Sequence, residues 1–306
     1  MLYMATAKRA STLHIILRIK LQSAHQKAKT CNHSMSAAPI DPSWVVFSIF
    51  LLITAVSLIW LFWYPVWKIK RILKQPFPDH WLSIMKNNNV IYDKLPVALQ
   101  SRLRNLVQLF IHQIHFYGTE GIEMNDEIRV TIATEACILI LGRTIDDYAK
   151  IKTIIVYPSA YFTQEEDEHQ NSVRLGESWH NGRVLLAWND VLNNSQSIIA
   201  GHNVTLHEFA HQLDQEDGYS DGVPPLPSGI VDTWVKAFAH RFNELTELAE
   251  KHHHSFLNPY GATNPAEFFA VTTEAFFTEP FAFEKHYPKL FELMQGFYRL
   301  DPREWR

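Results

Sequence analysis

The longest apolar stretch of the chain lies near its N-terminus, between Trp44 and Tyr64, and no charged residue occurs between Asp41 and Lys68. A helix of about 20 apolar residues is long enough to cross the hydrocarbon core of a bilayer. Tryptophan and tyrosine residues cluster at one end of this stretch, as aromatic residues do at a membrane–water interface. We therefore predict one transmembrane anchor over residues 41–67.

After the anchor, the spacing of apolar positions becomes that of amphipathic helices, interrupted by segments typical of strands. The predicted helices cover residues 96–117, 126–141, the stretch from Ser195 to the break at Gly218, 228–251 and 264–277. Two runs of β-branched and aliphatic residues, Thr153–Tyr157 and Gly182–Trp188, are typical of buried strands. The pattern predicts an α+β fold that is mostly helical and contains a small sheet.

Composition divides the chain into four parts. They are a basic N-terminal segment (1–40), the anchor (41–67), a basic juxtamembrane linker marked by prolines and an asparagine run (68–89), and the folded domain (90–306). Residues 1–34 contain no acidic residue, which fits either a targeting segment or a translation start at Met35. We favour the start at Met35.

The net charge of −4 conceals a difference between the two ends of the chain. Residues 1–80 carry ten Lys or Arg and two Asp or Glu, a net charge of +8, which leaves −12 on residues 81–306. An acidic domain does not offer the clustered positive charge that nucleic acids require. We therefore expect no nucleic-acid partner and associate the basic residues with the membrane.

Four basic residues follow the apolar stretch directly: Lys68, Lys70, Arg71 and Lys74. By the positive-inside rule they place the C-terminal domain in the cytoplasm, although six basic residues before the anchor favour the opposite orientation. The two cysteines, Cys31 and Cys137, lie far apart, which argues against a disulfide framework and fits a reducing compartment. We predict a single-pass protein of the cell inner membrane with a cytoplasmic domain, and a buried position for Cys137.

Candidate chemistry is concentrated in one motif of the helix predicted after Ser195, His207-Glu208-Phe209-Ala210-His211. Histidines four residues apart lie on one face of a helix, so both imidazoles can reach a single zinc ion. The glutamate between them points beside that face, where it can deprotonate a water activated by the metal. The strand Val184–Trp188, just before the motif, offers main-chain groups that could bind an extended peptide.

A catalytic zinc ion needs a third protein ligand and an open position for water. Glu267, Glu274 and Asp214 are the candidates for this ligand. Glu267 stands near the start of a predicted helix, where Pro265 would fix the first turn. The residue pattern by itself leaves the choice among the three carboxylates open.

Several strings of sequence in this half of the chain carry a resemblance to a known family. They are HEFAHQLD from His207, Gly222-Val223-Pro224, Tyr260-Gly261-Ala262-Thr263-Asn264-Pro265-Ala266-Glu267-Phe268-Phe269, Val156-Tyr157-Pro158 and Gly176-Glu177-Ser178-Trp179. Together they resemble the Mlc titration factor A family of zinc peptidases. These are gluzincins, also similar around the site to the catalytic domain of anthrax lethal factor. The likeness extends from about Met85 to Asp301.

The resemblance implies a zincin-type metallopeptidase domain with one zinc ion per chain. It assigns His207, His211 and Glu267 as the metal ligands and Glu208 as the general base. It also places Tyr260 at the site, as a hydrogen-bond donor to the developing oxyanion. Each of these positions holds the residue type that the family pattern requires.

Two further carboxylates are candidates for orienting the ligand imidazoles through their second ring nitrogens. Asp214 follows His211 by three residues, and Glu274 lies two helical turns after Glu267. A solvated position on the helix surface is the alternative for each. Exposure or ordinary hydrogen bonding is the better interpretation than metal binding for the other histidines considered, which are His112, His115, His180, His202 and His252 to His254.

These features predict a membrane-anchored zinc peptidase that acts on peptide or protein substrates as an endo- or aminopeptidase. A multi-span membrane protease is disfavoured, because no later segment approaches 18 uncharged residues. The alternative from another class is a regulatory binding protein, because the soluble family is named for sequestering a sugar-responsive transcriptional repressor. Its peptidase activity would then be secondary. The N-terminal anchor is a departure from the best-known members, which are soluble.

Overall fold

The computed structural model describes residues 42–159, 161–163, 172–174, 176–179 and 182–305, with side chains for 42–159 and 182–305. The predictions for residues 1–40, including the start at Met35 and Cys31, and for His180 fall outside these residues. Internal contacts divide the chain into one unit of residues 1–66 and a second of residues 67–306.

The apolar stretch forms a single helix, α1 (Pro42–Leu73), whose 32 residues make it about 48 Å long. Its large apolar side chains are exposed along most of its length, and Trp60 stacks on Tyr64 with ring centroids 4.8 Å apart. Among the described residues, this helix is long and apolar enough to cross a membrane. Soluble monomeric proteins rarely expose a contiguous apolar surface of this extent.

Helices make up most of the second unit. They are α2 (Asp79–Asn88), α3 (Val97–Gln113), α4 (Asp126–Leu139), α5 (Trp188–Gln196), α6 (Val204–Asp214), α7 (Ser228–Glu250), α8 (Pro265–Thr278), α9 (Pro280–His286) and α10 (Pro288–Tyr298). Short 3-10 helices cover Tyr92–Lys94, Ile145–Tyr148, Gln215–Asp217, Pro259–Ala262 and Pro302–Trp305. The helix predicted from Ser195 begins later, because α5 already ends at Gln196 and α6 starts only at Val204. The prolines at the start of α8, α9 and α10 occupy first-turn positions.

The strands form one four-stranded sheet and one separate pair. They are β1 (His115–Gly118), β2 (Thr153–Tyr157), β3 (Tyr161–Thr163), β4 (Ser172–Arg174), β5 (Gly176–Trp179) and β6 (Arg183–Ala187). The sheet has the order β1-β2-β6-β5, in which β1, β2 and β6 are parallel and β5 is antiparallel to β6. Strands β3 and β4 form the antiparallel pair. The α+β, mostly helical fold class is confirmed.

The strand expected to bind a peptide lies inside the sheet. Strand β6 pairs with β2 on one side and with β5 on the other. Its main-chain groups are therefore already hydrogen-bonded, and the prediction that Val184–Trp188 binds an extended peptide is wrong. The sheet edge beside β6 belongs to β5, and the helix α5 already begins at Trp188.

The stretch expected as a linker contains part of the folded core. Helix α2 places Met85 in the core, and Gln108 of α3 donates hydrogen bonds to the carbonyls of Ile72 and Gln75 at 3.1 and 3.2 Å. Helix α4 is buried along nearly all its length, and Cys137 is fully buried on it, as predicted. Helix α4 packs against α6, so the core lies directly behind the histidine motif.

Candidate metal centre

Helix α6 places its two histidines one turn apart on the same face. The helix begins at the N-cap Asn203, whose side-chain oxygen accepts a hydrogen bond from the backbone N–H of Leu206 at 3.0 Å. The Nε2 atoms of His207 and His211 lie 3.2 Å apart. Both side chains therefore point their ε nitrogens at one position.

Helix α8 brings Glu267 to this position from a site 60 residues further along the chain than His207. Asn264 caps α8 by accepting a hydrogen bond from the backbone N–H of Glu267 at 2.9 Å, and Pro265 follows in the first turn. The Oε2 atom of Glu267 lies 2.9 Å from Nε2 of His207 and 3.4 Å from Nε2 of His211. The cap therefore fixes the turn that presents this carboxylate.

The three donor atoms fit a zinc ion. All three ligand atoms lie within 4.8 Å of one another, and they are two imidazole nitrogens and one carboxylate oxygen. Zinc bonds of about 2.0–2.1 Å at tetrahedral angles separate ligand atoms by about 3.4 Å. The observed separations of 2.9, 3.2 and 3.4 Å are close to this value.

Glu274, two turns after Glu267 on α8, binds the opposite side of the His207 ring. Its Oε1 atom lies 2.7 Å from Nδ1 of His207, and it is almost completely buried. An ionised carboxylate can only accept, so Nδ1 carries a proton, and Nε2 is the ring nitrogen that faces Glu267 and His211. His202 lies further from the same carboxylate, at 3.6 Å.

Asp214 contacts a loop and not the imidazole of His211. Its Oδ2 atom accepts a hydrogen bond from the backbone N–H of Gly222 at 3.0 Å, and the carbonyl of Gly222 accepts one from Trp234. Gly222 has φ +76°, and a Cβ there would lie 2.4 Å from the carbonyl oxygen of Pro265, so only glycine fits. Among the described residues, neither Oδ1 of Asp214 nor Nδ1 of His211 has a hydrogen-bond partner.

Glu208 is buried beside the histidines, with only 5% of its surface exposed. Burial raises the pKa of its carboxyl to about 7, against the opposing influence of His207 and His211. Within the described part of the chain, its Oε2 atom has no hydrogen-bond partner. This carboxylate is therefore poised to exchange a proton near neutral pH.

The ligand side chains polarise one another. Burial lowers the pKa of His207, but hydrogen bonds to Glu267 and Glu274 outweigh it and hold this pKa well above its ordinary value. Burial acts to raise the pKa of Glu267, whereas its bonds to His207 and His211 hold it well below its ordinary value. Each of these two groups therefore stabilises the charged form of the other.

Tyr260 lies at the edge of the centre on the 3-10 helix Pro259–Ala262. Asn258 accepts a hydrogen bond from the backbone N–H of Tyr260 at 3.0 Å, which fixes this turn. The ring is 54% exposed, and its centroid lies 6.0 Å from that of His207. The exposed side of the metal centre therefore carries a tyrosine.

Two residues at the centre were missed from the sequence. The backbone N–H of Asn203 donates a short hydrogen bond to Glu274, and its side-chain amide donates to Oε2 of Glu135 at 2.8 Å. Glu135 is 2% exposed. Both had a signal, since Asn203 is a favoured N-cap residue and Glu135 is a lone carboxylate in the apolar run of α4.

Among the described residues, the other histidines considered, which are His112, His115, His202 and His252 to His254, take no part in the cluster. His112 bonds the carbonyl of Gln108 through Nδ1 at 2.7 Å, and the triplet from His252 to His254 is exposed after α7. Within the described residues, His207, His211 and Glu267 form the group with metal-ligand spacing.

Comparison with known proteins matches the chain to one family. The model of the family described as "Glucose-regulated metallo-peptidase M90" matches residues 64–299. The "Uncharacterized protein slr2042" of Synechocystis is 35% identical over 77% of this chain and 89% of its own length. "Mlc titration factor A" of Salmonella agona is 30% identical over 67% of this chain and 80% of its own length. A crystal structure from Bacteroides caccae aligns with 69% of this chain and 91% of its own length, at 17% identity and a TM-score of 0.30.

Proposed function

The chain belongs to the M90 family of glucose-regulated metallo-peptidases, and we propose that it is a membrane-anchored zinc peptidase whose metal is held by His207, His211 and Glu267. One observation carries this proposal. Two imidazole nitrogens and a carboxylate oxygen from two helices converge at 2.9–3.4 Å, with a buried glutamate, Glu208, beside them. This arrangement supplies three ligands and a base, as a hydrolytic zinc site requires.

Zinc in such a site supplies a Lewis acid for the scissile carbonyl and lowers the pKa of its water. The chain's own contribution begins with Glu274, which holds the proton of His207 on Nδ1 and leaves Nε2 free to bind the metal. Glu267 supplies the negative charge of the donor set. Two neutral imidazoles and one carboxylate would place one negative charge in the donor set, against the two positive charges of a zinc ion.

Glu208 is the general base in this proposal. It takes a proton from the attacking water and then donates that proton to the nitrogen of the leaving amine. Both steps are efficient only when the pKa of the carboxyl is near the working pH, and burial has raised it to about 7. One residue can therefore serve both halves of the hydrolysis.

Tyr260 is the proposed donor to the carbonyl oxygen of the scissile bond. This oxygen gains negative charge as the tetrahedral species forms, so a donor placed there stabilises the transition state more than the ground state. The ring is exposed and close to His207, which supports a role on the substrate side of the centre. The hydrogen bond to Asn258 holds the backbone from which this side chain extends.

The proposed substrate is an extended segment of a peptide or protein. Strand β5 packs against α6 and forms an edge of the described sheet. An edge strand offers free main-chain groups with which an extended peptide can pair. We propose that β5, and not the internal strand β6, aligns the substrate beside the metal centre.

The membrane location also belongs to this proposal. Helix α1 has the length and the exposed apolar surface of a single transmembrane span. Lys68, Lys70, Arg71 and Lys74 follow its apolar part and favour a cytoplasmic position for that end. We propose a single-pass protein of the inner membrane with its peptidase domain in the cytoplasm.

A second candidate function is the binding of a transcriptional regulator. The observation that favours it is the 30% identity to proteins named Mlc titration factor A. In this case a surface outside the metal centre would bind the partner, and the peptidase activity would be secondary. Regulator binding that survives Glu208→Gln would separate this function from hydrolysis.

The test is zinc analysis combined with peptide-library cleavage, on the full chain purified in detergent. We expect about one zinc ion per chain and cleavage that disappears on chelation and returns with zinc. Comparing free with N-acetylated peptides distinguishes an aminopeptidase from an endopeptidase, because an aminopeptidase requires a free terminal amine. A protein that retains no zinc and cleaves no peptide would overturn the proposal.

A further inference from the structure

We infer that Glu135 and Asn203 are positioning residues of the metal centre, which fix the start of α6 and thereby the placement of His207. Neither residue reaches the position where the three ligand atoms converge. They act through Glu274, which binds Asn203 and His207 at the same time. This inference rests on the proposed zinc function and extends it to residues on α4 and in front of α6.

Asn203 uses every polar group it has at this point. Its backbone N–H donates to Oε2 of Glu274, its side-chain N–H donates to Oε2 of Glu135 at 2.8 Å, and its Oδ1 accepts from Leu206 at 3.0 Å. A backbone N–H can only donate and a carboxylate can only accept, so the amide has one possible orientation. Its backbone carbonyl, finally, accepts from the N–H of His207 at 2.9 Å.

The first turn of α6 is held by side chains from three elements. The N–H of Asn203 is bound by Glu274 of α8, that of Val204 by Asn194 of α5 at 3.0 Å, and that of Leu206 by Asn203 itself. These are amides that an α-helix leaves without internal partners. Because the acceptors come from different helices, they determine both the position and the rotation of this turn. His207 lies one turn after Asn203, so the position and rotation of this first turn also determine where the side chain of His207 points.

Two buried carboxylates face this helix end. Glu135 and Glu274 are each 2% exposed, and both accept hydrogen bonds from Asn203. The N-terminus of a helix carries partial positive charge, which stabilises carboxylates placed there. A buried carboxylate is costly unless its hydrogen bonds are satisfied. Asn203 therefore lies between the two carboxylates, and a displacement of this residue would break a hydrogen bond to each of them.

Glu135 itself is anchored from the other side. Its Oε1 atom accepts a hydrogen bond from the side chain of Asn89 at 2.6 Å, and Oδ1 of Asn89 accepts from the backbone N–H groups of Ile91 and Tyr92. The bonds form a continuous buried path from residue 89 through Glu135, Asn203 and Glu274 to the ring of His207. Glu135 is therefore the fixed point of the path, since it lies in the middle of the buried helix α4.

The test separates positioning from simple stabilisation by a pair of matched cap variants. Asn203→Ser keeps a side-chain acceptor for the helix cap but loses the donor to Glu135, because serine is also a good N-cap. Asn125→Ser makes the same change at the N-cap of α4, where Asn125 accepts from Ile128 and lies outside the path. Glu135→Gln is the second variant. It removes the charge and directs an N–H group at one of the two amide donors, which belong to Asn89 and Asn203.

The zinc dissociation constant of the full chain in detergent is measured by competition with a chelator. The visible spectrum of the Co²⁺-loaded protein reports the ligand geometry, and the melting temperature of the metal-free form reports stability. We expect Asn203→Ser and Glu135→Gln to weaken zinc binding by about 10-fold and to change the Co²⁺ spectrum, as the loss of outer partners does elsewhere. Asn125→Ser should lower only the melting temperature.

Parental zinc affinity and an unchanged Co²⁺ spectrum in Asn203→Ser would overturn the inference, whatever happens to the melting temperature. If Glu135→Gln does not fold, Asn203→Ser decides the question alone. Failure of the proposed function is a different result, because the parent chain would then bind no zinc at all.

Discussion

Nδ1 of His207 lies 2.7 Å from Oε1 of Glu274, while Nε2 of the same ring lies 2.9 Å from Oε2 of Glu267. One imidazole is therefore held between two carboxylates that lie two turns apart on a single helix, α8. Of the two carboxylates, Glu267 also faces His211, at 3.4 Å, so the two have different proposed roles. In the proposed zinc site, Glu267 is the third ligand and Glu274 holds the proton of His207 on Nδ1.

The first prediction follows from this difference. Glu267→Ala should abolish tight zinc binding because only two protein ligands remain, whereas Glu274→Ala should weaken it by about 10- to 100-fold. Chelator competition measures both, with Glu247→Ala as the control, since Glu247 is exposed and forms an ion pair with Lys251 away from the metal centre. If Glu267→Ala binds zinc as tightly as the parent, Glu274 or Asp214 becomes the better third ligand.

The second prediction concerns the general base. Glu208→Gln should retain zinc but lose on the order of 10²–10⁴ in turnover, because the amide fills the same space and cannot accept a proton. Zinc content and the rate of peptide cleavage are measured on the same sample. Turnover equal to that of the parent would remove Glu208 from the mechanism.

The third prediction concerns Tyr260. Tyr260→Phe should lower kcat by on the order of 10²-fold with little change in KM or zinc affinity, because the hydroxyl acts mainly in the transition state. Tyr117→Phe is the matched control, since its ring is similarly exposed, at 57% against 54%, and lies on β1. Equal rates for the two variants would show that the tyrosine at the centre has no catalytic part.

The fourth prediction concerns stability and pH. Burial raises the pKa of Asp214 from 3.8 to about 7 in the folded protein. Between about pH 4 and pH 7 the unfolded chain has lost this proton and the folded chain retains it, so stability falls as pH rises through this window. The Asp214→Asn variant has no carboxyl to titrate at this position, so it should not lose stability in this pH window. Its amide oxygen can still accept the hydrogen bond from the backbone N–H of Gly222.

The stability difference between Asp214→Asn and the parent should therefore grow from pH 4 to pH 7 and stay constant above it. One pKa unit corresponds to about 1.4 kcal/mol, so the difference reaches about 4 kcal/mol at most. Urea unfolding at several pH values, with a chelator present throughout, measures it. A difference that does not vary with pH would show that Asp214 ionises in the folded protein as it does in water.

The fifth prediction concerns orientation in the membrane. Four basic residues after the apolar stretch should hold that end at the cytoplasmic face, where anionic lipids attract them. A reporter that works only in the cytoplasm, fused after Arg306, should therefore be active. Activity of an export-dependent reporter at the same point, with a silent cytoplasmic one, would reverse the assignment.

Much of this protein follows from the sequence because it depends on local pattern. The uninterrupted apolar run specified α1, and the 3.6-residue period located α3, α4, α7 and α8 to within a few residues. The fold class and the family, resembled through HEFAHQLD and the string from Tyr260 to Phe269, are confirmed. A spacing of four residues on a helix also brings His207 and His211 together without reference to the rest of the chain.

Only the tertiary structure decided how distant segments meet. The residue pattern left three carboxylates equivalent. Packing of α8 on α6 brings Glu267 to Nε2 and Glu274 to Nδ1 of His207, whereas Asp214, at the end of α6, accepts from the Gly222 loop. Tertiary packing also decided the strand order, which makes β6 internal. It likewise brings Glu135 into contact with Asn203, 68 residues later in the chain. Periodicity determines which face of an element is buried, but the partner of that face depends on the packing of the whole core.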